Sequence, residues 1–194
     1  NSKTGNTDAF ITKLSADGRS ALYSTYLGRD AGDQGIDMDT DNDGNAYLYM
    51  SGSGGIPITS EPFAQPTGRY LCKLPPNGSG FIYSIPVPAR GWKIAVDDIG
   101  QVYIACYLNN DAHVFALNAQ GTDSLFTFTF GGSDNDGCRD IAVDHEYNLY
   151  LAGNTKSRDF PVKNAFQSEY GEEASSPLRR YVFVVKLVMD IKPI

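Results

Sequence analysis

The chain lacks the raw material of most familiar folds and activities. It holds 20 Gly and 10 Pro in 194 residues, scattered at turn spacings, and no window of helical periodicity survives them. No stretch approaches the roughly 20 consecutive apolar residues of a membrane-spanning helix. Three cysteines, Cys72, Cys106 and Cys138, form no C-x-x-C pair and no framework, and each is expected as a small buried hydrophobe in or beside a strand. Basic charge is scarce: 16 Lys and Arg against 23 Asp and Glu give a net charge of −7. The only basic cluster is Arg179-Arg180, read as a solvated loop beside the acidic Glu172-Glu173. Nucleic acid is therefore not an expected partner, because its phosphates call for clustered cations. There are two His. No G-x-S-x-G elbow and no H-E-x-x-H motif is present. Nothing at Asn1 reads as a leader, so the expectation is a processed chain or, preferably, a piece of a longer one.

What the chain has in quantity is repetition and tyrosine. Twelve Tyr and 41% hydrophobic residues suit strands whose faces are half wet. An apolar run, an Asp, a tight turn and an aromatic strand appear three times. The copies are Ile36–Asp39 with Asn45–Leu48, Ile94–Asp97 with Gln101–Ile104, and Ile141–Asp144 with Asn148–Leu151. A second line alternates with it: Phe10–Leu14, Tyr70–Leu74, Val114–Leu117 and Val182–Leu187. Asp17-Gly18, Asn77-Gly78 and Gln120-Gly121 supply the positive φ of tight hairpins; Asn77-Gly78-Ser79 is a formal glycosylation sequon but is read as such a turn.

Period-two alternation predicts strands at about 8–14, 21–27, 35–40, 45–51, 69–74, 80–86, 92–97, 101–107, 112–117, 124–130, 139–144, 147–153 and 181–188. Consecutive meanders of four antiparallel strands, repeated, are the blades of a β-propeller. The expected fold is all-β: a single β-propeller segment over 1–194, with about three full blades plus partial blade strands at the termini. The repeat units run approximately 8–68, 69–110 and 111–179, with a final strand at 181–188. The first and last units carry inserts after the Tyr strand, each with a Pro and a Phe (Pro57 and Phe63; Pro161 and Phe166). Pro keeps these pieces out of the ladder, and their apolar residues are expected to tuck against a blade edge.

The segments Asp8–Gly28, Gly44–Gly52 and Asn148–Gln167 carry the lines DAFITKL, STYLG, GNAYLYMSG and DFPVKNAFQ. They resemble the SBBP repeat, a bacterial β-propeller repeat named for a seven-bladed form. The likeness is strong in the first and last units and weak in the middle, where Tyr83–Pro88 replaces the S-T-Y-L-G-G line. The resemblance implies a secreted or surface-exposed bacterial protein, usually a module of a longer chain, and carries over no catalytic residues.

Two acidic groups are candidate sites. Asp39-Thr40-Asp41-Asn42-Asp43-Gly44 has the D-x-D-x-D-G spacing of a calcium loop, in which alternate carboxylates face one ion. Met50 stands where an EF-hand has its bidentate Glu. The loop counts as two residues longer than the matching turn at Asp97, and a polar hairpin tip is the plainer reading. Asp30, Asp33, Asp134 and Asp136 fall in the links between blades, which emerge with the inserts on one face. They could line an acidic funnel or simply hold the junctions. His113 is expected as a structural ring on a strand and His145 as a turn residue. The lone Trp92 is expected in the core or at the hub, with a sugar platform as the other reading.

The leading expectation is a non-enzymatic extracellular or cell-surface module, a scaffold, adhesion or binding unit with protein or glycan partners and no required cofactor beyond possible Ca2+. One alternative is a metal-dependent hydrolase or lyase that uses the central funnel. Another is a subunit of a surface assembly that pairs through blade edges.

Overall fold

The computed structural model describes residues 7–28, 32–52, 56–63, 68–88, 90–169 and 180–189. Among these residues thirteen strands form four antiparallel sheets. β1 (Ala9–Leu14) and β2 (Ala21–Leu27) make a half-blade. β3 (Gln34–Thr40), β4 (Ala46–Ser51), β5 (Arg69–Leu74) and β6 (Tyr83–Pro86) make the first four-stranded blade. β7 (Gly91–Val96), β8 (Val102–Leu108), β9 (Asp111–Leu117) and β10 (Ser124–Phe130) make the second. β11 (Asp136–Val143), β12 (Leu149–Thr155) and β13 (Tyr181–Leu187) make the third, with three strands. The strand predicted at 80–86 is shorter than expected, the one predicted at 139–144 begins three residues earlier, and the one predicted at 147–153 is displaced two residues toward the C-terminus; the other predicted strands lie within a residue of the alternation, and no helix occurs among the described residues.

The first strands of the blades stand side by side, β3 against β7 and β7 against β11. This radial array of meanders is a β-propeller, entered on the third strand of one blade and left on the third strand of another. The packing follows from period two. On β4, Tyr47 and Tyr49 face the second blade, where they join Leu71, Ile85, Ile94, Ile104 and Phe115 in one buried cluster. Their neighbours Ala46, Leu48 and Met50 face the half-blade and bury Ile11 and Leu27. On the second blade, Tyr103, Val114 and Phe130 turn to the third and meet Ile141, Leu151 and Phe183. Each sheet is thus apolar on both faces, and each cluster is an interface between two blades. No blade could bury its own surface alone.

The inserts tuck against blades at three residues, whereas Val162 and Phe166 of the second insert are exposed, contrary to expectation. Ile56 is buried against the half-blade side of the first blade, and Phe160 stacks on Phe183 at 4.7 Å between ring centroids. Phe63 meets Phe115 of the second blade edge-on at 5.5 Å.

Candidate functional site

The acidic loop at Asp39 is built differently from its expected form. Asp41, not Asp39, is the counterpart of Asp97 and Asp144. In all three turns the Asp amide donates to the carbonyl four residues on: Asn45, Gln101 and Asn148. The Asp carboxylate accepts the amide of that same residue, at 2.9, 2.8 and 2.8 Å. It also accepts the hydroxyl of the Tyr six residues on, Tyr47, Tyr103 or Tyr150, at 3.1, 3.0 and 3.1 Å. The turn at Asp41 is therefore no longer than the others. Asp39 lies on β3 and accepts the Val96 amide at 2.8 Å, while Asp37 accepts the Ile94 amide and pairs with Lys93, both at 2.9 Å. These two carboxylates cap amides on the edge of β7 that faces β3. Asp43 is an exposed turn residue. The structure does not bring Asp39, Asp41 and Asp43 together. Among the described residues no three His, Cys, Asp or Glu side chains converge as a metal site.

Electrostatics separate the three turns. In the first, Lys73 reaches Asp41 at 3.3 Å and lies over the Tyr47 ring. Burial pushes the Asp41 pKa up, but the donors from Asn45, Tyr47 and Lys73 outweigh it and leave the carboxyl below its ordinary value. In the third, the Asn148 amide leads in holding Asp144 down, and Lys186 covers the Tyr150 ring. The second turn has Ala116 at the lysine position. There burial wins over the bonds from Gln101, Tyr103 and Ile99, and Asp97 is raised.

Two of the four junction carboxylates, Asp33 and Asp136, are buried rather than set facing an open funnel. Asp136 Oδ2 accepts the Gly132 amide at 2.6 Å and the Ser157 hydroxyl at 2.7 Å, and its own amide donates to Asn110. Asp33 is also buried, cradled by Gly28 and Gly52, where any Cβ would strike its carboxylate. Asp134 is exposed and accepts the Asn135 amide, and Asp30 lies outside the described residues. Asp136 thus ties the linker to the third blade through its carboxylate and to the second blade through its amide.

A different constellation occupies that face. Each first strand carries a β-bulge at the same register, between Gly35 and Asp37, Gly91 and Lys93, and Cys138 and Asp140. The extra residues are Ile36, Trp92 and Arg139. A bulge takes one side chain out of the ladder and re-aims it. Trp92 is consequently 53% exposed, not buried at the hub as expected. The Arg139 guanidinium lies over its ring at 5.6 Å. Both line a cleft of about 220 Å³ at the junction of the second and third blades, with Tyr107, Asn135, Asp136, Asn154 and Arg180. Tyr107 closes one wall through its hydroxyl, within 3.0 Å of Asn135 Oδ1. Neither guanidinium has a salt-bridge partner among the described residues. The sequence hid this site. Arg139 breaks the two-residue alternation, and Arg180 reads as an ordinary loop cation. The matched spacing of Asp41, Asp97 and Asp144 was the one signal that would have aligned Trp92 with Arg139.

The cysteines are buried and the two histidines are hydrogen-bonded. Cys72, Cys106 and Cys138 are free and buried, and burial pushes each thiol up to about 12. His113 shares a 2.6 Å hydrogen bond with Thr129, and burial lowers its pKa. His145 sits in the exposed third turn, 2.7 Å from Asp98, and that hydrogen bond raises its pKa. Asn42 donates to the same Asp98 at 2.9 Å, so one residue from each turn links the three blades.

No family model matches the chain, and no curated protein matches it. Solved structures do. A protein of unknown function from Bacteroides caccae is 14% identical, with a TM-score of 0.47 over 87% of this chain and 52% of its own. A gluconolactonase from Xanthomonas campestris is 20% identical, with a TM-score of 0.43 over 73% and 48%. A luciferin-regenerating enzyme is 16% identical, with a TM-score of 0.41 over 75% and 49%. The chain spans about half the length of each.

Proposed function

We propose that the chain is a non-enzymatic scaffold module of an extracellular bacterial protein, whose working surfaces are the outward faces of its first and last sheets. One observation carries this reading. Leu71 and Val114 are fully buried by the next blade, whereas Val184, at the same register position of the third blade, is 74% exposed. Its neighbour Val182 is equally bare. Phe166, in the place that Phe63 holds in the first insert, is fully exposed, while Phe63 packs on the following blade. At the other end Phe10 and Leu14 are exposed, although their counterparts Tyr70 and Leu74 are buried. Leu22 and Tyr26 extend that patch. These two faces are the two halves of one blade interface. Apolar area of this kind drives association at about 25 cal/mol per Å². They accept further blades of the same construction, and the module serves by being stacked.

Sedimentation velocity on the chain tests this reading. We expect concentration-dependent association, suppressed by Val184→Lys or Phe10→Lys with the melting temperature of the monomer retained. A monodisperse monomer at high micromolar concentration that binds no hydrophobic dye would overturn it.

A further inference from the structure

The cleft between the second and third blades plays no part in stacking, and its chemistry points to a ligand. We propose that it binds an acidic sugar, a pyranose carrying a carboxylate, such as a uronate residue of a polysaccharide. Three features converge there. Trp92 presents a half-exposed indole, and Tyr107 stands beside it, also partly exposed. Flat aromatic faces pack against the apolar face of a sugar ring while leaving its hydroxyls in water. Arg139 and Arg180 bring two guanidiniums to one small cleft in a chain of net charge −7. Neither is neutralised by a carboxylate among the described residues. A guanidinium fork takes a carboxylate in two parallel hydrogen bonds and so fixes its direction as well as its charge. The third feature is a mixture of polar groups suited to hydroxyls. Asn135 and Asn154 line the walls with side-chain amides. Amides offer both donors and acceptors, which suits a ligand with hydroxyls beside its negative group better than a bare inorganic anion, which has no donor to give.

The bulges explain why the site lies at this junction. The bulged residue is Ile36 in the first blade, Trp92 in the second and Arg139 in the third. Only the second and third blades bring an aromatic face and a cation to adjacent bulges. With Arg139 over its ring, the indole still leaves about half of its surface exposed to a ligand.

The test uses the only tryptophan in the chain, so indole emission reports on Trp92 alone. Digalacturonate, its neutral counterpart digalactose and sodium sulfate are titrated against the full chain, with calorimetry in parallel. We expect digalacturonate to shift the emission saturably, digalactose to bind at least tenfold more weakly, and sulfate to leave the signal unchanged. Arg139→Gln and Arg180→Gln are each expected to weaken digalacturonate binding at least tenfold. Trp92→Ala, read by calorimetry, is expected to abolish it, with the melting temperature unaltered because the side chain is half exposed. Equal binding of the neutral sugar, saturation by sulfate alone, or no response to digalacturonate would each overturn the proposal. None of these outcomes bears on the association of blade faces.

Discussion

At the scale of single residues, the repeat is held by an Asp, a turn and a Tyr, and small departures from it have measurable effects. Gly44 and Gly100 occupy the third position after the Asp with φ of 78° and 84°, and the third turn puts Tyr147 there at 65°. A side chain at positive φ costs about 1–2 kcal/mol. Gly100→Ala is expected to lower stability by at least about 1 kcal/mol in urea unfolding, because its Cβ would also come within 2.8 Å of the Tyr47 hydroxyl. The three aspartates differ in sign. Asp144 has a depressed pKa, so its contribution is present above the ordinary carboxylate value and fades as pH falls through the lower folded one. Asp97 has a raised pKa, so the native state gains relative to the unfolded one as pH falls through that higher value. Asp144→Asn is therefore expected to lower the melting temperature at pH 7 and to make little difference near pH 2. Asp97→Asn is expected to show a smaller loss at pH 7 than Asp144→Asn. Matching pH profiles for the two variants would contradict this account. Calcium is expected to give no heat at millimolar concentration, and chelator no change in melting temperature, because Asp39 and Asp41 already accept amide donors on both of their oxygens.

At the scale of elements, inserts and bulges differ in how they act. Phe63 and Phe166 hold matching places in their inserts, but only Phe63 touches a neighbouring blade. Phe63→Ala is expected to cost about 2 kcal/mol and Phe166→Ala almost nothing, measured by chemical denaturation of the monomer. Strand positions were legible in the sequence because alternation and Asn-Gly or Asp-Gly turns are local signals. The alignment of the first repeat was not. Ile36 looks like Ile94 and Ile141, which draws the match two residues early, yet Ile36 is the bulged residue of its strand. A bulge leaves no period-two trace, so the exposure of Trp92 and its contact with Arg139 were invisible as well. The junction acids were found by composition, but their burial depends on glycines brought close only by folding, as where Asp136 lies 2.8 Å from a Cβ placed on Gly131.

At the scale of the whole molecule, three buried clusters lie at three blade interfaces, so stability is a sum of neighbour contacts rather than the property of one centre. Ile104→Ala, at the interface of the first and second blades, is expected to destabilise by about 2–5 kcal/mol. If the interfaces unfold separately, hydrogen exchange in that variant will rise at this interface before it rises between the second and third blades. A uniform rise would show a single cooperative unit instead. The one-residue kink shared by β3, β7 and β11 has an evolutionary corollary. The side chain at each kink is freed from pairing duties, so substitutions there leave the surrounding ladder undisturbed. A lineage, or a laboratory library, can rewrite Trp92 and Arg139 and change the chemistry of the rim while the vanes beneath keep their shape, whereas Ile36, packed against the first interface, is held to an apolar side chain.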